Sequence, residues 1–148
     1  MRAVVQRVLQ GRVEVNGQTV GQIGEGLLVY LSVGKKDSEG DAEFMAEKLV
    51  NLRVFVDDAG KMNRSVLDTG GAILLVSNFT LHGDCRKGRR PSFDGAAEPD
   101  LAKELYGKAG ELIAKQGVVV EKGAFRGHMH ISSVNDGPAT FLLESGEA

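Results

Sequence analysis

The sequence predicts a mixed α/β protein of the α+β kind, one domain over residues 1–148 with many strands and two main helices. Three observations carry this. The first 20 residues are valine-rich and hold Asn16-Gly17, a strong two-residue hairpin signal. Residues 26–33 (GLLVYLSV) and 72–77 (AILLVS) are continuous apolar runs, the pattern of strands buried on both faces. Two other stretches repeat apolar residues at helical spacing.

Along the chain, residues 3–9 and 12–20 read as β, with residues 26–33 as the next strand. Ser38 and Asp41 resemble a capping box, with Asp in place of the longer Glu or Gln. Ala42, Met45, Ala46, Leu49 and Val50 then mark the buried stripe of a helix. A strand over residues 52–56 ends at the turn 57–60, a short strand is expected near residues 65–67, and residues 72–77 run directly into 78–81. The second helix spans residues 99–116, with Pro99 in its first turn and Gly117 ending it. Gly107 and Gly110 inside it each cost about 1 kcal/mol relative to Ala, so tertiary packing must hold that helix. Residues 118–121, 128–134 and 139–143 are expected as three closing strands.

Composition narrows the function classes. No run approaches the roughly 18 apolar residues of a membrane span. A single cysteine forms no internal disulfide, which points to a reducing cytosol, and the first residues lack a secretory signal. A net charge of −2 argues against coating nucleic acid by bulk electrostatics. Yet Arg86, Lys87, Arg89 and Arg90 form a local basic run, while acidic residues gather at 39–47, 57–58 and 144–147. That run is either a solvated loop or a set of phosphate contacts.

Other chemistry is sparse. Cys85 beside Arg86 and Lys87, with His82 three residues away, suggests a thiol nucleophile, but the pair reads as incidental loop neighbours. His128 and His130 alternate on an expected strand and make at most half a zinc site, so no metal is expected. Ser77-Asn78-Phe79-Thr80-Leu81 ends a buried strand, where amides run out of ladder partners; it is either a plain strand end or a source of oxyanion donors. Gly137-Pro138, within Asn135-Asp136-Gly137-Pro138-Ala139-Thr140, demands an edge, a bulge or a turn, and reads by itself as an ordinary turn. The dipeptide alone does not decide between cis and trans.

Taken together these segments resemble the D-aminoacyl-tRNA deacylase family. The likeness runs through residues 1–8 (MRAVVQRV), Lys61-Met62-Asn63, residues 86–93 (RKGRRPSF), SNFTL at 77–81 and NDGPAT at 135–140. The family hallmarks read Ser-Gln-Phe-Thr-Leu and Asn-x-Gly-Pro-Val-Thr. Asn78 therefore stands where the family has Gln, Ala139 where it has Val, and Cys85 where it often has a hydroxyl residue.

The resemblance implies a three-layer α/β/β fold with mixed, largely antiparallel β layers. It also implies hydrolysis of the ester joining a D-amino acid, or glycine, to the tRNA terminal adenosine. Catalytic residues would be Ser77, Phe79, Thr80, Gly137 and Pro138, the last two as a cis dipeptide inserted into the partner's site of a homodimer. Arg7 would steady that dipeptide, and Asn78, Phe125 and Met129 would contact substrate. Arg86, Lys87, Arg89 and Arg90 would contact tRNA phosphates. No cofactor, membrane or DNA partner is implied, and the substrate's own 2′-hydroxyl would assist attack by water. The rival readings are an editing deacylase for L-alanyl-tRNA, a non-catalytic RNA-binding module, and a Cys85 thiol hydrolase.

Overall fold

Valine alternation without a breaker carries the first strand, β1, from Arg2 to Val15 in one piece, where two segments are expected from the sequence. Only Gly11 interrupts the pattern, and a Cβ there would approach Leu74 Cδ2 to 3.2 Å, so this glycine lets β1 cross closely over the sheet. The computed structural model describes residues 1–146; Glu147, at the acidic tail, lies outside the described residues. Asn16 and Gly17 both take positive φ, 51° and 77°, and turn the chain into β2 (Gln18–Ile23).

β3 (Gly26–Ser32) pairs antiparallel with the first half of β1 and parallel with β6 (Ala72–Ser77), which pairs parallel with β7 (Val119–Lys122). β8 (His130–Glu144) runs antiparallel along the other edge of β1. The apolar runs in β3 and β6 are buried on both faces, as their composition requires. Leu27, Val29, Leu31, Ile73 and Leu75 meet the helices α1 (Glu39–Asn51) and α3 (Pro99–Lys115). Leu28, Leu74 and Val76 face Val8, Val13 and Ile23 of the β1–β2 layer. Helices, central sheet and outer β ribbon are the three layers. Each fully buried aliphatic side chain contributes about 1.5–3 kcal/mol.

α1 begins as expected, the Asp41 carboxylate accepting from the Ser38 N–H at 2.8 Å. In α3, Gly110 packs where a Cβ would lie 2.8 Å from Lys122 Cε, whereas Gly107 faces open space. The Tyr106 hydroxyl donates to the Leu75 carbonyl at 2.6 Å and ties α3 to the sheet.

Three further expectations fail locally. The strand at 52–56 shrinks to β4 (Phe55–Val56), paired with β5 (Met62–Arg64). Residues 65–67 open a short helix, α2 (Val66–Thr69), because Ser65 and Asp68 cap each other: Asp68 N–H to Ser65 Oγ at 3.0 Å, Ser65 N–H to Asp68 Oδ2 at 2.9 Å. The two strands expected at 128–134 and 139–143 are one. Between them Gly137-Pro138 is not a tight turn but the crest of a bulge: Gln6 pairs with Thr140 and Val8 with Asn135, so residues 136–139 stand opposite Arg7 alone. The Gly137-Pro138 peptide is cis.

Candidate active site

Where β6 leaves the sheet, Asn78 donates its N–H to the Leu31 carbonyl at 2.9 Å, and the chain closes into a 3₁₀ turn, Phe79–His82. The turn is too short to satisfy its own first donors. The N–H groups of Phe79 and Thr80 take no part in the hydrogen bonds among the described residues. Beside them opens a cavity of about 600 Å³, bounded by the ends of β3 and β6, the start of α3 and the loop before β8. Such a volume suits a nucleoside-sized ligand.

Ser77, Asn78, Phe79, Phe125 and Met129 line this cavity together, although they come from distant parts of the chain. Phe125 packs on Tyr106 with ring centroids 5.9 Å apart, and Phe79 meets Phe93 edge to face at 5.2 Å. Burial pushes the Tyr106 hydroxyl well above its ordinary range, so it stays a hydrogen-bond donor. The Thr80 side chain is not part of the wall. Its hydroxyl donates to Asn78 Oδ1, which occupies the Asn78 amide within the turn.

Arg7, Gly137 and Pro138 lie elsewhere, at the β1–β8 bulge, and do not line this cavity. Arg7 is 7% exposed and donates from Nη1 to the Val54 carbonyl at 2.7 Å and from Nε to the Asp136 carbonyl at 3.0 Å. The Asn135 amide donates to the Arg7 carbonyl at 2.9 Å and to the Ala139 carbonyl at 3.3 Å, closing the bulge. Gly137 and Pro138 at its crest are exposed.

The basic segment forms an exposed excursion pinched at its base by paired backbone bonds between Asp84 and Ser92, 2.7 and 2.9 Å. Arg86 is engaged there, its guanidinium on the Asp84 carboxylate at 2.7 and 2.9 Å, which holds that carboxyl far below the usual range. Lys87, Arg89 and Arg90 are exposed at the tip. Cys85 is exposed as well, and His82 turns away from it. The His82 Nδ1 lies 2.5 Å from Ser32 Oγ instead. His128 and His130 meet edge to face at 5.3 Å on the surface.

Ser32, Phe93 and Tyr106 also line the cavity, and none of them is expected there from the sequence. Ser32 carried a signal: it is the single hydroxyl of a serine or threonine in the apolar run 26–33, and a buried hydroxyl needs a partner. Phe93 and Tyr106 carried none: the Asp84–Ser92 backbone pair brings Phe93 to the end of β6, and the packing of α3 brings Tyr106 there.

A model of the family D-Tyr-tRNA(Tyr) deacylase matches residues 4–144. The D-aminoacyl-tRNA deacylase of Thermotoga petrophila is 55% identical over 147 residues, covering 99% of each chain. That of Syntrophobacter fumaroxidans is 55% identical over 145 residues, 98% of this chain and 97% of its own. A solved structure described as c-Myc DNA unwinding element binding protein matches with a TM-score of 0.94 and 38% identity over 99% of this chain and 100% of that one. A probable eukaryotic D-amino acid tRNA deacylase matches at 0.80 with 20% identity over 96% and 97% of the two chains, a likeness of fold.

Proposed function

Because the chain belongs to the D-Tyr-tRNA(Tyr) deacylase family and is a hydrolase of D-aminoacyl-tRNA, we propose that the cavity at the end of β6 receives the aminoacylated terminal adenosine and the amides of the 3₁₀ turn polarise its ester. The observation that carries this reading is the pair of open N–H groups, Phe79 and Thr80, at the edge of a cavity walled by Ser77, Phe125 and Met129. Fixed amides beside a partly apolar cavity are suited to the charge that develops on an ester carbonyl oxygen under attack. Phe125 and Met129 supply the apolar face for the adenine.

Chirality is judged by Gly137-Pro138. This dipeptide is exposed and outside its own protomer's cavity, so it acts in the site of a second copy, and the working form is a homodimer. Its carbonyl oxygens accept from the substrate α-ammonium and fix the Cα, an L side chain meets the wall, and glycine passes. Arg7 supports the bulge from beneath through the Asp136 carbonyl. Lys87, Arg89 and Arg90 meet tRNA phosphates, with Arg86 divided between that role and Asp84. The protein works on tRNA in the cytosol as one domain over residues 1–148, without a cofactor and without DNA as partner. No helix among the described residues is long and apolar enough to cross a membrane.

An unassisted threonine hydroxyl is a poor nucleophile, and that of Thr80 is already donated to Asn78. Water attacks instead, assisted by the substrate 2′-hydroxyl, with positioning supplying most of the rate. The test is ester loss from D-tyrosyl-, L-tyrosyl- and glycyl-tRNA. The D and glycyl esters should be cleaved and the L ester spared; equal loss of the L ester refutes the chirality mechanism. Thr80→Ala should keep most activity, while a 2′-deoxy terminal adenosine should lose it. The opposite pair of results assigns the chemistry to Thr80.

A further inference from the structure

His82, which touches the cavity-lining Ser32, has no part in the mechanism above. Ser32, the last residue of β3, is 1% exposed, and its Oγ sits 2.5 Å from His82 Nδ1 and 3.4 Å from the Phe79 carbonyl oxygen. His82 is the last residue of the turn whose first two amides are open. Its ring lies against Gly34, where a Cβ would come within 2.9 Å of Nε2. A side chain at position 34 would therefore displace the imidazole. Gly34 is held in turn by its N–H to the Asp37 carboxylate at 2.5 Å.

We propose that His82 is a positioning residue for ester hydrolysis: through Ser32 it clamps the Phe79–His82 turn to the end of β3 and so sets where the Phe79 and Thr80 amides stand beside the cavity. The inference rests on the oxyanion role of those amides given above.

The turn has two other ties, and neither fixes its far end as this one does. The Asn78 N–H bond to Leu31 holds the entry to the turn, and a half-exposed Arg2 guanidinium reaches the Leu81 carbonyl at 3.2 Å. Among the described residues, it is the His82 side chain that anchors the exit to a buried group. Desolvation and the neighbouring Arg2 charge lower the His82 pKa, with Asp37 opposing, so the ring is neutral at neutral pH and can meet the hydroxyl in either tautomer. A serine beside a histidine is also the start of a nucleophile–base pair. Here the hydroxyl of Ser32, although that residue lines the cavity, is already engaged by the imidazole and by the Phe79 carbonyl, which competes for its proton.

Because the Asn78–Leu31 tie is main chain, variants at 82 and 32 should fold. The measurement is kcat and KM for D-tyrosyl-tRNA, with the melting midpoint as control. His82→Leu and Ser32→Ala should each lower kcat about 10- to 100-fold with KM unchanged, as expected for donors misplaced by a fraction of an ångström. The double variant should be no slower than either single one. His82→Asn, whose amide can give Ser32 either a donor or an acceptor, should restore kcat to within about threefold. Unchanged kcat in His82→Leu, failure of Asn to rescue, or loss that only follows the unfolded fraction would overturn the proposal. Ser32→Ala inactivating far beyond His82→Leu, with an acyl-enzyme trapped in the wild type, would make Ser32 a nucleophile and overturn it too. Incorporating the α-hydroxy analogue of threonine at Thr80 removes that N–H, at the cost of weakening the Phe79 carbonyl as an acceptor for Ser32. Full kcat in that variant sinks the amide reading, whereas impaired kcat there with full kcat in His82→Leu sinks the clamp alone.

Discussion

Arg7 offers the sharpest test of how the bulge is held. Its guanidinium reaches two main-chain carbonyls, Val54 at 2.7 Å and Asp136 at 3.0 Å, from a site 7% exposed. Bonds from a charged donor contribute about 1.5–3 kcal/mol each, so truncation to Met, which removes both, should cost about 3–6 kcal/mol in all. The contact with the Asp136 carboxylate at 3.2 Å contributes much less, because that side chain is 48% exposed and an ion pair so wetted gives about 0–1 kcal/mol. Arg7→Lys is the informative substitution. One ammonium cannot span both carbonyls, so about 1.5–3 kcal/mol should be lost while the charge is kept. Urea denaturation measures the loss as a lower midpoint at constant slope. On the substrate side, Arg7→Lys should lower kcat for D-tyrosyl-tRNA about 100-fold, the usual consequence of a roughly 1 Å misplacement of a positioning group. Two results would refute the reasoning: Arg7→Lys as stable as wild type, or Asp136→Asn more damaging than Arg7→Lys. The second would mean that the ion pair, not the carbonyl bonds, holds the bulge.

Three further outcomes are expected. Gly26→Ala places a Cβ 1.9 Å from the Ala72 carbonyl oxygen at the start of the β3–β6 pair, so it should cost about 3 kcal/mol or more and appear as a large fall in soluble yield and urea midpoint. Arg89→Ala with Arg90→Ala should reduce the slope of log KM against log salt by about 0.7–0.9 for each phosphate no longer neutralised, and leave hydrolysis of a D-aminoacyl-adenosine fragment unchanged. The Asp41 carboxyl is held below its ordinary value of 3.8, first by the Ser145 hydroxyl and then by the Ser38 N–H. A depressed native value means that the stabilisation is complete above pH 3.8 and is lost as pH falls through the native value. The melting difference between wild type and Asp41→Asn should therefore be full at pH 7 and vanish in stronger acid.

Legibility differed by element. The helices α1 and α3 and the strands β3 and β6 were readable because periodicity, apolar runs and capping residues are local signals. Residues 65–67 were misread because a Ser-x-x-Asp cap outweighed three residues of β character. Residues 135–138 were misread as a turn because Pro in a strand argues for a break. Pairing with β1 on both sides of the excursion, with Arg7 and the Asn135 amide bonded across it, keeps β8 continuous. The site divided the same way. Ser77, Asn78 and Phe79 were found from their motif and do line the cavity, as do Phe125 and Met129. Ser32, Phe93 and Tyr106 were not found, since each is brought there by a partner far away in the chain.

Sequence by itself determined the family, the order of helices and buried strands, and the two short segments that the resemblance singles out. Those are properties of neighbouring residues: spacing, polarity and backbone preference. Tertiary structure decided that Ser77–Phe79 and Gly137-Pro138 do not share a cavity in this chain, that the Asn78 amide oxygen is taken up by Thr80, and that His82 belongs to Ser32 rather than to Cys85. Each depends on hydrogen-bond partners that only folding brings within reach. A donor or acceptor finds its partner by distance in space, and distance along the chain does not reveal it.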